Sequence, residues 1–169
     1  MIGSLFIETM KARLVTALIP FIGLILGYVL RRIAPEEANQ GKKYFIKTQQ
    51  IILFLLVIVL LWISPLTITT AIAFIVGILI AKLIRFRYLY LGGASVATMM
   101  ITKETALLVL TLIFLYGLPF GTQVIKKNPT SAVVRHAILF AIPFVLLVTP
   151  FASSPLLSPL IAGALFLRK

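Results

Sequence analysis

Apolar residues in this chain fall in long unbroken runs, and between the runs lie short clusters of charge, proline and glycine. Unbroken runs predict helices, since a membrane barrel needs apolar and polar positions in alternation. The first run, Leu14 to Leu30, carries Pro20 and the pair Gly23 and Gly27, whose spacing lets another helix approach closely. A polar connection from Arg31 to Lys47 follows, and its Ala34-Pro35-Glu36-Glu37 predicts the first turn of a short surface helix, with acids at the positive dipole end. The second run, Gln49 to Ile63, is almost pure Ile, Leu and Val and has Trp62 as an interfacial anchor. Ser64-Pro65 turns the chain into the third run, Leu66 to Ile84, which closes on Lys82, Arg85 and Arg87. These two runs read as a lipid-facing hairpin. Beyond a polar connection from Gly121 to Arg135, where Thr130 or Ser131 offers a helix cap, come Val133 to Phe151, which contains Pro143, and a short last run from Leu156 to Leu167.

The stretch between Tyr88 and Phe120 breaks this pattern, being apolar at both ends and charged in the middle, at Thr102-Lys103-Glu104-Thr105. As one straight helix it would be about 50 Å long, against a hydrocarbon core of about 30 Å. Each apolar arm alone falls short of the roughly 20 residues a spanning helix needs, and Gly117 and Pro119 are expected to disturb the second. Residues 88–121 therefore read as a short or re-entrant helical hairpin with its tip at the charged residues.

Composition settles the class. A chain of 169 residues that is 61% hydrophobic, with a mean hydropathy of +1.14, has too little volume to hide its apolar surface in a soluble core. The expected fold is an all-α, polytopic integral membrane domain over residues 1–169, with about seven hydrophobic helical segments. Residues 1–13 are expected to lie along the interface and to be retained, because no positive charge precedes their apolar patch.

The formal net charge of +12 would suggest nucleic acid in a soluble protein, but here the cations sit at the ends of apolar runs. They act as topology signals and as contacts for anionic lipid head groups on the cytoplasmic side, so no nucleic-acid partner is expected. If 88–121 begins and ends on one side, 13 of the 16 Lys and Arg residues fall together, leaving Lys11, Arg13 and Lys103. If the stretch crosses once, the cations divide 8 against 7, with Lys103 within the membrane. The hairpin is favoured, with the N-terminus outside, the C-terminus cytoplasmic and the protein in the cell membrane.

Candidate chemistry is sparse. Cysteine and aspartate are absent, which removes disulfides, thiol catalysis and aspartate-based hydrolysis. His136 stands alone as the one histidine and is read as an interfacial packing residue rather than a metal ligand. No catalytic residue, metal or cofactor is expected. An ionisable residue within a membrane usually faces a cavity or a partner, which singles out Lys103 and Glu104. Ser95, Thr98, Thr102 and Thr105 recur at steps of three and four, giving the first arm a hydroxyl-bearing face that leads to them. Short helices with small and hydroxyl residues suit a solute pathway. A purely structural reading of the same residues has the hydroxyls satisfying backbone carbonyls, the glycines packing helices and the two charges capping an exterior turn.

Pro20-xx-Gly23-xxx-Gly27-Tyr28-xx-Arg31-Arg32 resembles the first helix of auxin-efflux-type and related secondary carriers. The likeness is confined to those residues, transfers no site residue, and sits in a chain much shorter than a complete two-repeat carrier. It implies transport. The expected function is passage of a small solute or ion along Ser95, Thr98, Thr102, Lys103, Glu104 and Thr105, in a homo-oligomer, with Gly23 and Gly27 either packing helices within the chain or forming the contact between copies. The alternative is a noncatalytic membrane subunit or assembly factor that docks lipid or a partner through its basic face.

Overall fold

The computed structural model describes residues 19–84, 86–99, 103–123, 129–148 and 154–167. All regular structure in them is helical, so the fold is all-α. In chain order the helices are α1 (19–33), α2 (Pro35–Gln40), α3 (Lys42–Ile63), α4 (Ile68–Leu83), α5 (Arg87–Met99), α6 (Lys103–Gly121), α7 (Pro129–Ala141) and α8 (Leu157–Phe166). α7 runs on into a 3₁₀ turn over Ile142–Val148.

Local chemistry accounts for most boundaries. Pro35 stands in the first turn of α2, with Glu36 and Glu37 at its positive end. The corner between α3 and α4 is tied by hydroxyls: Ser64 Oγ donates to Leu60 O at 2.9 Å, and Thr67 Oγ1 caps α4 by accepting from Thr70 N at 3.3 Å. Pro143 brings no N–H to the carbonyl four residues back, and the chain tightens to 3₁₀ from Ile142 onward.

Several boundaries differ from those read in the sequence. α3 begins at Lys42, well before Gln49, because the polar turn ahead of the apolar run is itself helical. α7 begins at Pro129, so Thr130 and Ser131 lie inside its first turn rather than at the cap. Gly117 and Pro119 lie within α6, which continues to Gly121; Pro119 brings no N–H to the Leu115 carbonyl, and the helix ends two residues later. The interfacial segment 1–13, Thr102, Arg85, Lys126, Lys127, Arg168 and Lys169 lie outside the described residues.

Small residues decide which helices touch. On α1, a methyl added at Gly23 would overlap Phe114 O of α6, and one at Gly27 would overlap Leu118 O. In return Gly117 of α6 faces α1, where a methyl would meet Leu24 N at 2.7 Å. α4 and α8 meet in the same way through Gly77 and Gly163. The close approach at Gly23 and Gly27 is thus made within the chain, and α6 occupies the face that an oligomer contact there would need. Of the two roles open to these glycines, helix packing within the chain is the one the contacts display.

The contacts also fix direction. Gly23 and Gly27 meet α6 in ascending order, so α1 and α6 run parallel, whereas Tyr88 at the start of α5 lies against Phe120 near the end of α6, with ring centroids 5.0 Å apart. Tyr88 and Gly92 face His136 and Phe140, which makes α7 parallel to α5. With the short turns joining α3 to α4 and α4 to α5, these directions bring Arg31, Lys42, Lys43, Lys47, Lys82, Arg87 and Arg135 to one end of the body. Trp62 and Glu104 lie toward the other.

By length and composition two helices can cross a membrane, Lys42–Ile63 and Glu104–Gly121. The apolar stretches Ile68–Leu83, Ser131–Val145 and Leu157–Phe166 are shorter, so helix length alone does not show the larger number of crossings expected from the sequence. The surface is nevertheless strongly apolar. Ile22, Ile25 and Leu26 of α1, Ile51, Phe54 and Ile58 of α3, and Ile72, Ile75 and Leu79 of α4 are all exposed.

Candidate functional site

The site grows around α5. Its composition, Arg-Tyr-Leu-Tyr-Leu-Gly-Gly-Ala-Ser-Val-Ala-Thr-Met, is poorer in large aliphatic residues than that of α3 or α4, yet every residue from Tyr90 to Met99 is buried. Small residues let four neighbours approach it: α6, α7, α8 and the 3₁₀ turn all pack against it. At Gly92 a methyl would overlap Phe140 O, and at Gly93 it would press on Ile161 Cδ1 at 2.8 Å.

Ser95 and Thr98 are fully enclosed within this packing. Ser95 Oγ donates to Leu91 O at 3.1 Å, and Thr98 Oγ1 lies 2.9 Å from Ala94 O and 3.1 Å from Ser95 O. Both hydroxyls are therefore satisfied by their own helix. Bonds of this kind go to carbonyls that already belong to the helical ladder. Lys103 and Glu104 occupy the first turn of α6 rather than a loop, and Glu104 is exposed at the positive end of that helix, where a carboxylate is favoured. Thr105 is half-buried. The structure thus stacks Ser95 and Thr98 on successive turns of α5 and puts Glu104 and Thr105 on the next helix; Thr102 lies outside the described residues.

A second group, at the basic end, was not singled out in the sequence as a unit. Tyr88 is buried among rings from two other helices: Tyr116 and Phe120 of α6 at 6.4 and 5.0 Å, and His136 and Phe140 of α7 at 5.0 and 6.5 Å. Arg87 Nη1 donates to the Tyr116 hydroxyl at 3.4 Å, and Arg31 Nη1 donates to Thr122 O at 2.5 Å, closing α1 onto the end of α6. Arg135 lies over the Phe86 ring, 5.2 Å from its centroid. His136, expected as a packing residue, is half-buried and holds Ala132 O at 2.6 Å through Nδ1. Because Ala132 O can only accept, that bond needs a proton on Nδ1. The phenol of Tyr88 has no hydrogen-bond partner, in contrast to Tyr90, whose hydroxyl donates to Ile84 O at 2.9 Å at the open end of α4. The sequence signal for this cluster was the aromatic pairing at the two ends of the 88–121 stretch, which becomes readable only once those ends are known to meet.

No cluster of three potential metal ligands occurs among the described residues. Compared with protein-family models, with curated proteins and with solved structures, the chain matches none.

Proposed function

We propose that this chain is a multi-pass membrane protein that passes a small solute or ion along α5, with the N-terminus outside and the C-terminus cytoplasmic. The observation that carries this reading is the enclosure of α5. A helix so short, about 20 Å from end to end, and so rich in glycine and hydroxyls is surrounded by other helices rather than offered to lipid. Ser95 and Thr98 are closed onto their own carbonyls, and exchanging those bonds for a solute is the simplest way such a helix would open a route. Lys103 and Glu104 would set the charge preference at one end, and Arg87 beside Tyr116 would do so at the other. The exposed Ile and Leu side chains of α1, α3 and α4 support the membrane setting, because a soluble body rarely presents so large an apolar face.

The collection of cations at one end favours a second reading, a noncatalytic subunit that docks lipid or a partner there. Single cysteines at Ser95, Thr98, Thr102, Lys103 and Thr105 separate the two, since the chain has no cysteine of its own. Graded labelling by a small aqueous thiol reagent in sealed vesicles, together with altered liposome swelling in salts or small neutral solutes for Glu104→Lys, is the outcome expected of a pathway. Labelling only at 102–105, with Ser95 and Thr98 silent and swelling unchanged, would end the transport reading in favour of the subunit.

A further inference from the structure

We infer that the outer face of α3 is a binding site for one anionic phospholipid, its phosphate held by Lys43 and Lys47 and an acyl chain laid along Ile51, Phe54 and Leu55. The inference rests on the membrane setting proposed above but not on transport. An open groove of about 400 Å³ is lined by Lys47, Gln50, Ile51, Phe54 and Leu55. These residues recur at steps of three and four from Lys43 onward, so they form a single strip on the helix, cationic at its start and apolar beyond. Both lysines are exposed, and Ile51 and Phe54 are 60% and 56% exposed. From Lys47 the strip continues to Ile58, about 16 Å along the axis, which is the depth of one leaflet of a core about 30 Å thick.

Charge and apolarity thus change over at the place where a phospholipid changes from head group to chain. A free phosphate would use only the first part of the strip, and a helix of a second copy would have to bury the lysines. The comparable groove on α7, lined by Ser131, Val134, Arg135, Ile138 and Leu139, differs in its cation: Arg135 is already stacked on Phe86. Lys43 and Lys47 are better placed to accept a phosphate.

The test uses the full chain in neutral detergent, offered phosphatidylglycerol and phosphatidylcholine of identical chains in equal amounts, with retained lipid read by native mass spectrometry. Preferential retention of phosphatidylglycerol is expected. Each lysine that faces the bound head group contributes about a fivefold preference, so Lys43→Gln with Lys47→Gln should cut the ratio by roughly 25-fold, while Lys82→Gln, on α4 and off this strip, leaves it unchanged. An equal fall with Lys82→Gln would show diffuse surface charge and overturn the site. So would displacement by excess sn-glycerol 3-phosphate, or a stable dimer cross-linked through a cysteine at Phe54. Carbonate extraction of membranes separates the two failures: release of the protein defeats the membrane setting itself, whereas an embedded protein with no lipid preference defeats only this site.

Discussion

α3 and α5 belong to one helical body and differ in almost every respect. α3 has 22 residues, is built of large aliphatic side chains, and leaves Ile51, Phe54, Leu55 and Ile58 on the outside. α5 has 13 residues, carries glycine, alanine and hydroxyls, and buries all of its residues from Tyr90 onward. In a water-soluble domain the assignment would run the other way, with the aliphatic helix innermost. What sorts helices here is size rather than polarity. In the membrane setting proposed above, lipid chains are as apolar as leucine, so large aliphatic residues gain little by turning inward, and backbones come together where side chains are small. Hydroxyls can be enclosed without cost to the packing because Ser95 and Thr98 find acceptors on their own helix.

The strongest way to break this comparison is to make α5 resemble α3. Gly92→Leu forces side-chain atoms into Phe140 O, and overpacking of this kind should cost about 3 kcal/mol or more. The readout is loss of a monodisperse peak, or a much lower unfolding temperature, for protein purified in detergent. A Gly92→Leu variant as stable as the parent would mean that α5 is not tightly enclosed.

A smaller effect is expected from Ser95→Ala and Thr98→Val. Each removes a donor whose acceptor remains bonded within the helix, so thermal stability should change by no more than about 1 kcal/mol. That near-neutrality makes these variants useful for function. A loss of flux without a loss of stability would tie the hydroxyls to a route, whereas a large loss of stability would show that they hold the core.

The smallest effect belongs to the outer face. Ile75→Ala on α4, where the side chain is exposed, should stay within about 0.5 kcal/mol by the same melting assay. A larger cost would show that this face is covered in the assembled protein, by a second copy or by another subunit.

The helical class was legible in the unbroken apolar runs, since no other backbone arrangement accommodates them. Charge placement was informative at α2, where Pro35, Glu36 and Glu37 stand in the first turn. Partner choice was not legible. Gly23 and Gly27 advertise a close approach but do not say to what, and the matching Gly117 and Gly121 stand about 90 residues away in a segment that also holds Pro119, so nothing local pairs them. The Tyr88 cluster was hidden for a related reason: its rings come from three helices, and aromatic residues near the ends of apolar runs ordinarily read as interfacial anchors. Lys103 and Glu104 interrupt an apolar run, which in the sequence signals a turn; in the fold they open α6, where the carboxylate of Glu104 suits the positive end of the helix.

Pro143 has an effect on reach. A 3₁₀ turn rises about 2.0 Å per residue against about 1.5 Å in an α-helix. The Ile142–Val148 segment therefore covers about 14 Å instead of about 10 Å. Added to the 13 residues of α7, it makes a rod a little over 30 Å long, against about 30 Å for the same residues in a plain α-helix. A residue usually counted as a helix breaker here lengthens the path of the chain by about 4 Å over the seven residues of the turn.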